Sequence, residues 1–207
     1  MGKLELFDIY DEHQVWKGTA ERQDVHQNGW WHQTFHCWIV SERDGRLCLL
    51  YQRRHMGKDT YPGLLDISCA GHLEAGETIT DGIRELQEEL GLAVNFEDLS
   101  SCGMIAEEYP LPKGGMDREF SHVFYLRNDQ PLEDYQVQLE EVIGLYWVAC
   151  EDIVALIEQQ VSSIPILGIE IDDNGNCSLQ TEQRVGLEKF VPHSLQYYKL
   201  LFDALGA

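Results

Sequence analysis

The chain has 207 residues, 43% hydrophobic and 25% charged, enough for one sizeable domain with a real core. Its 36 Asp and Glu against 15 Lys and Arg give a net charge of −21. That balance argues against a nucleic-acid partner and against docking on anionic membranes. A phosphorylated small substrate would meet the same repulsion and needs local positive charge, such as a metal ion.

The six Cys, at 37, 48, 69, 102, 150 and 177, form no CxxC pair, so no zinc ribbon or redox motif is visible. The start, MGKLELFDIYDEH, carries acidic residues where a signal peptide needs a basic and then an apolar stretch. No apolar run is long enough to span a bilayer. The expectation is a cytoplasmic protein with reduced thiols.

In chain order, residues 3–10 alternate weakly and VWKG follows a DEHQ turn, which predicts a hairpin. Residues 30–40, WWHQTFHCWIV, read as a strand. Trp31, Phe35, Cys37 and Ile39 fall on one face; His32, Thr34, His36 and Trp38 fall on the other. RDG turns the chain into a second strand, RLCLLYQRR. KDTYPG at 58–63 is a loop, and LLDISCA is a third strand. Further strands are expected at 99–107, 119–127 and 144–149, then a helix from 151 to about 160. IPILGIEIDDNGNCSLQT reads as a hairpin around Asn174-Gly175. VPHSLQYYKLLFDAL at 191–205 reads as an amphipathic helix, with Leu195, Tyr198, Leu201 and Phe202 near one face.

The segment GHLEAGETITDGIRELQEELGL, residues 71–92, packs six carboxylates around a single Arg. With residues 81–90 helical, Asp81, Glu85, Glu88 and Glu89 share one face, and Ile83, Leu86 and Leu90 share another. Thr80 suits the N-cap, and Gly91 suits the left-handed residue after the helix. Glu88 and Glu89 sit near the C-terminal end, where the helix dipole disfavours negative charge. A solvated acidic face is the plain reading; a bound hard cation, Mg²⁺ or Mn²⁺, is the sharper one.

This segment resembles the Nudix box. Gly71 and Glu77 have the pattern's separation, and Arg84-Glu85-Leu86-Gln87-Glu88-Glu89-Leu90-Gly91-Leu92 matches its second half. Only six residues, TITDGI, separate Glu77 from Arg84, one fewer than the pattern has, and Gly82 weakens the first turn by up to ~1 kcal/mol relative to Ala. The resemblance implies an α/β (α+β) Nudix fold, a mixed β-sheet between helices. The Nudix domain would occupy 1–160, with a C-terminal hairpin-plus-helix extension, 161–207, on the same domain or on a partner in a homodimer. It implies hydrolysis of a small-molecule diphosphate with Mg²⁺ or Mn²⁺. Glu85, Glu88 and Glu89 are then the expected metal ligands, with the Gly71 carbonyl, and Arg84 holds the carboxylates in place. Glu85, Glu119, Glu140 and Glu141 are candidates for the base that takes the attacking water's proton.

QRRHMGKDTYPGLLDISCAGH also resembles the branch related to type 1 isopentenyl-diphosphate isomerase, a family that binds a metal through several His and Glu residues. His32, His72, Asp117 and Glu119 fall near its ligand positions, and His26 is off by one. The isomerase needs a Cys directly before Gly-His; here Ala70 stands there, and Cys69 should face the other way. A hydrolase is therefore preferred over an isomerase or a non-catalytic diphosphate-binding module. Arg53, Arg54 and Lys58 are candidates for gripping phosphate, and His32 and His72 for substrate or metal. His36 and His55 read as ordinary polar residues. EEYPLPKGGMDRE at 107–119 is the expected specificity loop, with Tyr109 offered to a base or a prenyl group.

Overall fold

The computed structural model describes residues 5–112, 114–179 and 182–206. Lys3 and Leu4 of the first predicted strand, Lys113 of the predicted specificity loop, and Gln180 and Thr181 of the predicted hairpin lie outside the described residues.

The chain opens with the expected hairpin, β1 (Leu6–Tyr10) and β2 (Trp16–Glu21). A helix absent from the sequence reading follows, α1 (Arg22–Asn28). It has one apolar residue, Val25, so it shows no stripe; burial of that single side chain and a left-handed Gly29 after it define the turn. Then come β3 (Trp31–Arg43) and β4 (Arg46–Arg54). LLDISCA is two short strands rather than one, β5 (Leu65–Asp66) and β6 (Cys69–His72). β5 pairs with β4 and β6 with β3, so the segment crosses between them.

The carboxylate helix is α2 (Arg84–Leu90), entered through a 3₁₀ turn at Asp81–Ile83. Thr80 is not its cap. It has helical angles and accepts no capping bond; instead Asp81 accepts the Thr78 N–H and hydroxyl at 2.7 and 2.6 Å. Gly91 is left-handed, as expected, with φ of 70°. Gly82 has a packing reason: a Cβ there would lie 2.6 Å from that of Phe35. The tight turn therefore rests its backbone directly on β3.

β7 (Ser100–Pro110) and β8 (Met116–Arg127) form a long hairpin. The predicted loop at 107–119 is thus mostly strand, and only 111–115 connects. β9 (Val142–Ala149), α3 (Cys150–Ile157), β10 (Ile164–Ile171), β11 (Cys177–Leu179), β12 (Gln183–Val185) and α4 (Leu195–Leu205) complete the chain. β10 pairs with β9 and with β11, and α4 packs on β7. On α4 the buried residues are Tyr197, Tyr198, Leu201 and Phe202, while Leu195 is 66% exposed. Leu195 lies in the first turn at the edge of the buried arc, just after the Ser194 cap.

The sheet is mixed. β3 runs parallel to β8 along its length and antiparallel to β4 only over Val40–Arg43, giving its first half to β6. Phe35, Ile39 and Leu50 pack with Leu86 and Leu90 of α2 on one face. Trp38, Leu49 and Tyr51 pack with Ile153 of α3 and Leu201 of α4 on the other. The result is the expected α+β sheet between helices. The fork where β3 leaves β4 for β6 holds open a cavity of about 1460 Å³.

Candidate active site

Two groups of side chains border this cavity, and β6 joins them; His32 of the second is buried behind its wall. The first belongs to the box. Arg84 donates to both Glu77 oxygens at 2.8 and 3.0 Å, to Glu85 at 2.6 Å and to the His72 carbonyl at 3.0 Å, with Glu88 at 3.4 Å. One guanidinium therefore sits among three carboxylates and ties the loop to β6. The shortened loop does not displace Glu77 from Arg84. Gly71 lies against Glu85: a Cβ there would be 2.1 Å from the Glu85 carboxyl carbon. Glu89 is buried, and its Oε2 accepts from Gln52 at 3.2 Å and the Ala70 N–H at 3.4 Å.

The second group is built by register. β3–β8 pairing sets His32 opposite Glu119, and β3–β6 pairing sets Thr34 opposite His72. α1 adds His26 and β8 adds Asp117. One ligand atom from each of His26, His32, His72 and Asp117 lies within 4.8 Å of all the others. Asp117 Oδ1 is 3.5 Å from Nε2 of both His26 and His32. All four atoms are buried and have no hydrogen-bond partner among the described residues. Phe7 stacks on His32 and His72, with centroids 5.3 and 4.7 Å away, and walls the group off. Glu119 stands beside it: Oε2 accepts Thr34 and Ser121 hydroxyls at 3.3 Å each, and Oε1 faces His72 Nε2 at 3.7 Å.

Burial holds His32 down at about 3 and keeps His26 and His72 below their usual range, so all three are neutral imidazoles. Burial, then the Asp117 charge, pushes Glu119 up to about 8; burial, then Glu85, does the same to Glu89. Buried imidazole nitrogens and a carboxylate oxygen, orphaned and convergent, fit a divalent cation, and so do the crowded box carboxylates.

A pH dependence follows for the metal-free protein. Glu89 and Glu119 bind protons more tightly folded than unfolded, so their burial costs stability as pH rises above their unfolded value of 4.5 towards 8. Below about pH 6.5 the buried imidazoles act in the opposite sense. Melting in chelator should therefore fall between pH 6.5 and 8. The fall should shrink in Glu89→Gln and on adding Mn²⁺. A flat profile in that interval would contradict the burial of these carboxylates.

Other expected residues are placed as follows. Arg54 lines the cavity and pairs with Asp66 at 2.7 Å; Lys58 lines it and pairs with Glu141; Glu140 and Tyr109 also line it. Arg53 does not join them. Strand alternation turns it to the opposite face of β4, where it pairs with Glu170 at 2.5 Å. Cys69 points into the core, as the one-residue shift requires, and burial holds its thiol far above the usual range. Sequence reasoning missed Gln52, Ser121 and His193. His193 lines the cavity between Asp66 at 3.3 Å and Glu107 at 4.0 Å; burial lowers its pKa, but these two carboxylates hold it at about 9. No local motif marks such residues.

A sheet of this topology, with a glycine-led loop feeding a short helix whose carboxylates close on one arginine, is that of a Nudix-type hydrolase, an enzyme of diphosphate bonds. The NUDIX domain family model matches residues 30–167, and the chain belongs to that family. It is 36% identical over 201 residues to a Nudix hydrolase of Clostridium acetobutylicum, covering 97% of both chains. It is 32% identical over 155 residues to isopentenyl-diphosphate Delta-isomerase 2 of Photorhabdus laumondii, covering 74% of this chain and 82% of that one. A crystal structure from Deinococcus radiodurans superposes with a TM-score of 0.55 at 23% identity, over 75% of this chain and 90% of that one, and shares the fold. Among the described residues no helix is long and apolar enough to cross a membrane.

Proposed function

We propose that the protein hydrolyses a diphosphate linkage in a nucleoside-diphosphate-type or other small diphosphate, with Mg²⁺ or Mn²⁺. The observation that carries this reading is the closing of the box carboxylates Glu77, Glu85 and Glu88 on Arg84 at the cavity wall, with Ala70 where the isomerase needs its thiol. Glu85, Glu88 and Glu89 with the Gly71 carbonyl would hold cation at the box, and His26, His32, His72, Asp117 and Glu119 would hold it at the imidazole group. Bound there, a divalent ion supplies charge neutralisation for the diphosphate and lowers the pKa of water. Arg84 keeps the box carboxylates apart and aimed. The proton of the attacking water goes to a carboxylate that lines the cavity, Glu85 of the box or Glu119, Glu140 or Glu141 around it. Arg54 and Lys58 meet the phosphates, and Tyr109 contacts the group beyond them.

An isomerase reading is supported by the relatives and the imidazole group. It lacks its thiol acid/base, since Ala70 faces the cavity and Cys69 faces the core. The test is product release from a diphosphate panel that includes isopentenyl diphosphate, with and without Mg²⁺ and Mn²⁺. Metal-dependent cleavage supports hydrolysis. Conversion of isopentenyl diphosphate to its allylic isomer without phosphate release would replace it.

A further inference from the structure

The matched family region ends at residue 167, and α4 lies beyond it. That helix still reaches the imidazole group through one side chain. Tyr197 is fully buried, and its hydroxyl has two hydrogen-bond partners among the described residues: Trp38 Nε1 at 3.2 Å and His36 Nδ1 at 3.1 Å. An indole N–H only donates. Trp38 therefore uses one lone pair of the hydroxyl, and the buried phenolic proton, which needs an acceptor, has His36 Nδ1 beside it among the described residues. The neutral His36 ring then carries its own proton on Nε2. That nitrogen faces Glu119 Oε2 across 3.8 Å. The separation exceeds a direct hydrogen bond, but the N–H presents its positive end to the carboxylate. The opposite tautomer would set a lone pair against the same oxygen. With Oε2 held on this side by Thr34, Ser121 and His36, Oε1 is turned to His32 and His72.

We infer that Tyr197 is a positioning residue: its hydroxyl sets the tautomer of His36, and through it the orientation of Glu119 in the cation-binding centre. Partners behind a metal ligand fix its orientation in this way. The inference rests on the reading of Glu119 as part of that centre.

The test uses the full chain. Mn²⁺ affinity is measured by calorimetry for wild type, Tyr197→Phe, Tyr198→Phe and Glu119→Gln, and the ring protonation of His36 by long-range ¹H–¹⁵N correlation. Tyr198 is buried on the same helix and controls for loss of a core hydroxyl. The expected result is a wild-type His36 protonated on Nε2, with mixed tautomers and ~10–100-fold weaker Mn²⁺ binding in Tyr197→Phe. Tyr198→Phe should bind as wild type does. A wild-type His36 protonated on Nδ1 overturns the inference, and needs no variant to fold. Unchanged Mn²⁺ affinity in Tyr197→Phe, with weakened binding in Glu119→Gln, overturns it and leaves the centre standing. Unchanged binding in Glu119→Gln overturns the reading of the centre and the inference with it.

Discussion

Glu89→Gln should lower metal-dependent turnover by ~100-fold or more, since losing a charged cation ligand costs no less than losing a partner behind one. The substitution is nearly isosteric. Glu89 lies between Gln52 and the backbone of Ala70, against a wall of core residues, so the amide keeps the packing and removes the charge that would hold the cation. Loss of activity should thus come without loss of fold, and the metal-free variant should melt no lower than wild type at pH 8, where the buried carboxylate opposes folding. Steady-state kinetics at saturating Mg²⁺, beside thermal melting, checks both. Turnover equal to that of the wild type would remove Glu89 from the chemistry.

Arg84→Met should destabilise the metal-free protein by about 3 kcal/mol, the lower end for one partner removed from a buried ion pair, because Arg84 keeps some exposure. The guanidinium is the positive charge among Glu77, Glu85 and Glu88, and it ties them to the His72 carbonyl. Without it, these carboxylates face one another across a partly buried space. Millimolar Mn²⁺ should return part of the loss, since a ligand that binds only the folded state stabilises it. Chemical denaturation with and without metal measures this. A loss well under 1 kcal/mol would class Arg84 with exposed surface pairs.

The acidic segment was readable because its information is local. Spacing along one helix put Glu85, Glu88 and Glu89 on a face apart from Leu86 and Leu90, and both faces stand as the spacing requires. Alternation along WWHQTFHCWIV separated Phe35, Cys37 and Ile39 from His32, Thr34 and His36 in the same way. The entrance to the helix was misread because Asp81 turns its carboxylate back to the Thr78 N–H and hydroxyl, which leaves Thr80 helical rather than capping. Packing of Gly82 on Phe35 selected the 3₁₀ turn. α1 was not visible because a helix with one buried residue carries no periodic signal.

By itself the sequence determined the carboxylate helix and the exclusion of Cys69 from the cavity, while the Nudix class came from resemblance to a known box. The first two depend on spacing within a few residues, which backbone geometry converts directly into direction. Only the tertiary structure decided that His26 joins His32, His72 and Asp117, and that Tyr197 reaches His36. Those groups come from α1, β3, β6, β8 and α4, and long-range sheet register and helix docking bring them together. Such contacts are set by burial of side chains far apart in the chain, and no local pattern encodes them.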